Sequence, residues 1–271
     1  MISTWSRGDA DSNMDEGILT ELGAIIARHP WWEARGRLVI ALLRRARVAP
    51  PASILEAGCG WGTNLAMLEN AGYKVTGLDI SRRSLERLDR AGRMLIEADL
   101  TQEVPAGAEH YDVVLALDVI EHIDDDSSVI TRLARLTRPG GLVILSVPAL
   151  PELYSEFDEV QGHRRRYTRD SLREAIERAG LLEISCIFWW GQWMARVLGR
   201  RKSRSRARPG NTSADIYKKY LTLPPWPAVH LMKAMFMIDH KRALAERNVT
   251  GTSLFAIAMR PKPSMNQEAV P

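Results

Sequence analysis

Residues 54–62 read ILEAGCGWG, so Gly58, Gly60 and Gly62 alternate directly behind an apolar run and an acid, Glu56. Glycines at that spacing strip the backbone of side chains and let a ligand lie against it. Between the first strand and helix of a parallel sheet, such a turn opens at the carboxyl edge, and an acid about 20 residues later grips ribose hydroxyls. Asp79, which ends YKVTGLD, fits that role, since an ionised carboxylate can accept from both hydroxyls. The Gly-x-Gly-x-Gly spacing differs from the G-x-G-x-x-G of dinucleotide sites, and no Gly-Lys-Ser/Thr follows to hold phosphates. The expected guest is a nucleoside without a pyrophosphate.

The elements that must position these residues follow from periodicity. SILEAG, YKVTGLD, RMLIEAD, YDVVLALD, GLVILSVP and LLEISCIF are mostly apolar throughout, as in parallel strands covered on both faces. Helical patterns alternate with them. SRRSLERLDRAG places Leu85 and Leu88 on one face before Gly92, and TRDSLREAIERAG places Leu172, Ala175, Ile176 and Ala179 before Gly180. Such βα units build an α/β, doubly wound sheet.

Residues 1–50 read as a helical lead-in joined through RVAPPAS, 51–188 as the nucleoside-binding core, and 189–252 as a helical insertion rich in Trp and Met. SLFAIAM then returns to the sheet at 253–260, and 261–271 reads as a disordered tail. The insertion is interrupted by RKSRSRARPGNTS, read as a mobile basic loop over 202–213.

Composition bounds the function. The chain has 271 residues, 45% apolar and 26% charged, enough for one large α/β domain. Its N-terminus lacks the charged start and apolar stretch of a secretory signal, and no apolar run is long enough to span a bilayer, which predicts a cytoplasmic protein. Two cysteines, Cys59 and Cys186, support neither a disulfide framework nor a cysteine metal site, and no metal is expected. The net charge of +4 is concentrated in Arg196, Arg200, Arg201, Lys202, Arg204, Arg206 and Arg208. Arginines beside Trp189, Trp190 and Trp193 suit a peripheral contact with an anionic membrane surface or a lipid-linked substrate; no RNA-binding module accompanies them, so nucleic acid is not the expected partner.

Over residues 50–188 the chain resembles the class I S-adenosylmethionine-dependent methyltransferases, through Glu56 with Gly58-x-Gly60-x-Gly62, Asp79, Asp99 in EAD, DVIEHI after the fourth strand and RPGG before the fifth. A narrower resemblance, to a bacterial subgroup acting on small molecules, rests on HPWWEARGR at 29–37 and GHRRRYT at 162–168. Here Pro30 is inserted and Glu33 follows the tryptophans, where that subgroup reads His-Trp-Trp-Phe. The resemblance implies a Rossmann-like sheet of seven strands, the last antiparallel, with a helical cap inserted before it.

It also implies S-adenosylmethionine as cofactor. Gly58, Cys59, Gly60 and Gly62 would pass the methionine part and Glu56 would fix the loop. Asp79 would bind the ribose, and Asp99 with Ile80 and Leu100 the adenine. Asp118, Val119 and His122 would line the reaction edge. Trp31 and Trp32 read either as an N-terminal lid over the cofactor or as core.

Methyl transfer to a hydroxyl needs a base, and His122 and His163 are imidazoles that titrate near neutral pH. His122 is favoured by its place beside the fourth strand, with Glu121 to orient it. Arg165 and Tyr167, on the loop after the fifth strand, and Trp190 in the cap are expected to touch a small-molecule acceptor. Arg164–Arg166 would hold an anionic group or pair with Asp158, Glu159 or Asp170. O-methylation of a secondary metabolite, sugar or lipid-linked compound is the expected activity; a cyclisation using the same cofactor, or a non-catalytic scaffold, stays open.

Overall fold

The computed structural model describes residues 1–8, 23, 25, 26, 29–89, 92–108, 110–202, 212–223, 225–245 and 249–263. In chain order the elements are β1 (Ile2–Thr4), α1 (Pro30–Arg45), β2 (Ser53–Ala57), α2 (Thr63–Asn70), β3 (Lys74–Asp79), α3 (Arg82–Leu88), β4 (Met94–Glu97) and β5 (Tyr111–Leu117), followed by α4 (Asp126–Leu136) and β6 (Thr137–Pro148). Then come α5 (Glu156–Val160), α6 (Arg169–Ala179), β7 (Glu183–Trp190), α7 (Gln192–Lys202), α8 (Ser213–Leu221), α9 (Ala228–Leu244) and β8 (Ser253–Met259).

The strands form one sheet in the order β1-β4-β3-β2-β5-β6-β8-β7. β8 runs antiparallel to both β6 and β7, while the other pairs are parallel. The uniformly apolar strands are buried because helices cover both faces, as Ile54, Leu55, Val113, Val114 and Leu115 at 0% exposure show. Strand order reverses between β2 and β5, and the crevice at their carboxyl ends is where such a sheet takes a ligand.

Eight strands replace the expected seven. The additional one is β1, at the very start of what reads as a helical lead-in, paired with β4 at Ile2↔Leu95 and tied by Thr4 Oγ1 donating to Glu97 Oε2 at 2.8 Å. Three residues are too short for alternation to appear in the sequence.

Helix α1 starts where His29 caps it, its Nδ1 accepting from the Trp31 N–H at 3.2 Å, with Pro30 in the first turn. Its Leu38, Val39, Leu42 and Leu43 pack in one cluster with Met232, Phe236 and Ala243 of α9, with Trp190 and with Phe255. Burying each such aliphatic side chain contributes about 1.5–3 kcal/mol. Parts of the lead-in and of the insertion are therefore core, and β7 runs on through Trp189 and Trp190, past the expected boundary at 188. Helix α6 has the expected ends, Thr168 accepting from the Ser171 N–H and Gly180 in the left-handed region at φ +71°.

Among the described residues no helix is long and apolar enough to cross a membrane. Residues 203–211 of the basic loop and 264–271 of the tail lie outside the described residues.

Candidate functional site

Gly58, Gly60 and Gly62 all adopt positive φ, at +71°, +47° and +70°. The turn is pinned by Asp79, whose Oδ2 accepts from the Gly60 N–H at 2.7 Å and whose Oδ1 accepts from the Ser81 N–H at 2.9 Å. A Cβ on Gly58 would lie 2.5 Å from Val119 Cγ2, so this glycine lets the ends of β2 and β5 approach. At Gly62 a Cβ would meet Leu88 at 2.6 Å, so this glycine lets Leu88 pack against the turn, between Trp61 and Thr63 that line the cavity.

A cavity of about 1890 Å³ opens on this turn, larger than the roughly 300–1,000 Å³ of ordinary ligand pockets. Glu56, Gly58, Cys59, Gly60, Asp79, Ile80, Asp99, Leu100, Asp118 and Val119 line it, as expected from the sequence. Asp99 Oδ1 accepts from both the backbone and the hydroxyl of Thr101 at 2.8 Å, which places its carboxyl at the turn after β4. Burial pushes the Cys59 thiol well up, leaving it protonated.

One end of the cavity holds two buried charges with unused atoms. Glu56 Oε1 accepts from Asn64 Nδ2 at 2.6 Å while Oε2 has no partner, and burial pushes its carboxyl up to about 7. Beside it Arg35 donates from Nη1 to Asp118 Oδ2, leaving a buried Nε unpartnered. Asp118 is held at φ +59° with its Oδ1 accepting from Ser146 Oγ at 2.9 Å. Arg35 was not expected in the site. Its signal was a charge on the apolar face of α1, one turn after Trp31 and one turn before Leu38 and Val39.

Close to Asp118 in the chain, Glu121 and His122 come together with His163. The two imidazoles meet edge to face with centroids 4.8 Å apart, and both line the cavity. His163 Nδ1 lies 3.0 Å from Asp158 Oδ1, and Arg166 grips the same carboxylate with two bonds of 2.7 and 3.0 Å. The His163 and Arg166 partners hold the Asp158 carboxyl down at about 2 despite its burial. Burial lowers His122 to about 4, so it is neutral near pH 7 and only weakly basic. Glu121 is fully buried, neither oxygen has a hydrogen-bond partner among the described residues, and burial pushes its carboxyl well up. Asp158 is expected from the sequence only as an ion-pair partner of the arginines; its contact with His163, five residues on, spans an irregular turn with no period to reveal it.

Three expected acceptor contacts fall elsewhere. Trp190 is fully buried, packed on Trp31, Phe236 and Phe255, and belongs to the core. Tyr167 is 2% exposed, with its hydroxyl on Asp126 Oδ2 at 2.8 Å. Arg165 pairs with Asp124 and Asp126, at 3.7 and 3.5 Å, and does not itself line the cavity. The arginine run is thus taken up by ion pairs, Arg164 lying 2.8 Å from Asp124. The cavity's remaining wall is apolar and aromatic. Phe157 of α5 stacks on Tyr220 of α8 at 4.6 Å, and Tyr217, Leu221, Met194 and Val197 continue that surface. Trp31 and Trp32 line the cavity too, while Trp31 also packs on the core.

A methyltransferase-domain family matches residues 31–184. The ubiquinone biosynthesis O-methyltransferase of Sodalis glossinidius is 32% identical over 150 residues, covering 49% of this chain and 59% of that protein. This chain therefore spans about three fifths of the length of the curated relatives it matches. Among solved structures, the complex between the Haloferax volcanii Trm112 methyltransferase activator and a methyltransferase contains a similar chain, with TM-score 0.55, 18% identity and coverage of 91% of this chain and 99% of that one. Haemonchus contortus phosphoethanolamine N-methyltransferase 2, in complex with S-adenosyl-L-methionine, gives TM-score 0.51 at 18% identity, covering 83% of this chain and 52% of that one. These structures share the fold. On the family match over more than half of its length, the chain belongs to the methyltransferase-domain family.

Proposed function

We propose that this protein is an S-adenosylmethionine-dependent methyltransferase that methylates a hydroxyl of a small-molecule acceptor with an apolar body. The observation that carries the reading is the pair of orphaned buried atoms, Glu56 Oε2 and Arg35 Nε, at one end of the cavity and next to the glycine turn. A free amino acid end presents an ammonium and a carboxylate, and that pair of opposite charges suits both. Asp79 serves the ribose, and Ile80, Asp99 and Leu100 serve the adenine.

The cofactor supplies a methyl group on a sulfonium, which leaves as a neutral thioether. The chain's task is to align the acceptor and to see its proton removed. In the transfer the acceptor oxygen forms a new bond to the methyl carbon as the carbon–sulfur bond breaks, and the hydroxyl proton is lost. His122 and His163 stand at the wall where that oxygen arrives. Low basicity makes His122 alone a poor acceptor of the proton, so the role belongs to the cluster rather than to that residue.

Helices α7 and α8 act as a cap over the acceptor, with Phe157, Tyr217 and Tyr220 presenting an apolar, aromatic surface. The related protein named as an O-methyltransferase supports oxygen as the methylated atom. Hydroxylated aromatic and lipid-like acceptors, incubated with methyl-labelled cofactor, test the reading. Label should appear in an ether of at least one acceptor. A protein that binds the cofactor yet labels none across that panel contradicts it.

A further inference from the structure

We propose that Glu121, His122 and His163 bind a divalent first-row transition-metal cation on the acceptor wall, through the Glu121 carboxylate, His122 Nδ1 and His163 Nε2. One ligand atom from each of the three lies within 4.8 Å of the others. Two imidazoles that line the cavity and a fully buried carboxylate make a donor set for zinc or iron(II), with coordination positions left on the cavity side for a substrate oxygen.

Two features set this cluster apart from a chance gathering of polar groups. First, its free atoms are the ones a cation needs. Glu121 is 0% exposed with neither oxygen partnered, and His122 Nδ1 is buried without a partner. A native fold ordinarily avoids burying a carboxylate in that condition. Among the described residues the ion-pair contact to Glu121 is His163 Nε2, at 3.9 Å from Oε1, while the nearby Arg35 is engaged by Asp118.

Second, the outer partners are already arranged as they are around metal-bound histidines. His163 Nδ1 is held by the Asp158 carboxylate, itself fixed by Arg166, which leaves the Nε2 lone pair facing Glu121. His122 Nδ1, buried and without a hydrogen-bond partner among the described residues, is left to ligate. The carboxylate behind His163 sets the tautomer and orientation of that imidazole. Ligands around a tetrahedral ion with bonds of about 2.1 Å stand roughly 3.4 Å apart, so the set closes by side-chain adjustment of about 1.4 Å at its widest.

The consequence rests on the methyltransferase reading. An acceptor hydroxyl coordinated here loses its proton to cavity water more readily, so its oxygen meets the methyl group as an anion. His122 and His163 then act as ligands, and no free imidazole base is required.

The full-length protein, stripped with chelator, is titrated with Zn²⁺ by calorimetry and with Co²⁺ by visible absorption, with S-adenosylmethionine binding measured on the same samples. The expected result is one equivalent of Zn²⁺ and the intense Co²⁺ bands of a low-coordinate nitrogen site. Glu121→Gln should weaken Zn²⁺ binding at least about 100-fold, and Asp158→Asn, behind His163, by about 10–100-fold. If Glu121→Gln does not fold, His163→Gln and the wild-type Co²⁺ spectrum decide. A wild-type spectrum like that of aqueous Co²⁺, or Zn²⁺ affinity unchanged in folded Glu121→Gln, overturns the site. Protein that binds S-adenosylmethionine but not Zn²⁺ overturns the metal and leaves the proposed function standing; protein that binds Zn²⁺ but not the cofactor does the reverse.

Discussion

The two walls of the cavity are built by different means. The glycine edge is mostly backbone: three left-handed glycines, two N–H groups on Asp79 and the carboxyl ends of neighbouring parallel strands, with Glu56 to Asp99 close in sequence. The other wall is mostly side chains from separate segments, His122 after β5, His163 after α5, and Tyr217 and Tyr220 on α8. A wall made by backbone leaves a signature in glycine spacing. A wall assembled by long-range contacts leaves none.

The first variant that sharpens this contrast is Trp190→Ala. Trp190 reads as an acceptor contact but is packed in the core under Trp31, so its truncation should cost about 3–5 kcal/mol of stability. Denaturant melts should show the loss, while KM for the acceptor stays at the wild-type value in the folded fraction. A raised KM without loss of stability would return Trp190 to the acceptor wall.

Arg35→Ala probes the Asp118 end of the cavity. Losing a charged hydrogen bond of roughly 1.5–3 kcal/mol should weaken S-adenosylmethionine binding at least tenfold and leave acceptor KM alone. Unchanged affinity would confine Arg35 to holding Asp118. Phe157→Ala should do the converse at smaller scale, raising acceptor KM about 3–10-fold through loss of its stacking with Tyr220, with cofactor affinity intact.

What was legible in the sequence follows the same division. SLFAIAM matches β8 from Ser253 to Met259, and the α6 pattern matches because Thr168 and Gly180 mark its ends. GHRRRYT showed its importance but not which residues face the cavity: His163, Arg164 and Arg166 do, and Arg165 and Tyr167 do not. An irregular loop has no period from which to read a face. Glu121 appeared as an orienting partner for His122, and only the fold shows that it is buried with both oxygens unused.

The smallest expected effect is a pH response of the entrance. His29 Nδ1 must be unprotonated to cap α1, and burial lowers this imidazole to about 4. Between its ordinary value near 6.5 and about 4, the unfolded chain binds the proton more readily than the folded one, so stability falls as pH drops through that window. His29→Asn keeps a capping acceptor without the titration. Its melting temperature should decline less than that of the wild type from pH 6.5 to 4.5; parallel declines would place the acid sensitivity in other groups.

The proposed function seats S-adenosylmethionine on the glycine edge, with Asp79 at its centre. Calorimetric titration of the cofactor into wild-type protein and Asp79→Ala, each checked for folding by circular dichroism, tests it most directly. Removing an ionised acceptor from the ribose and from the Gly60 N–H should raise Kd at least about tenfold against saturable, one-site wild-type binding. Equal affinity in a folded Asp79→Ala protein, or no saturable binding by the wild type, would contradict it.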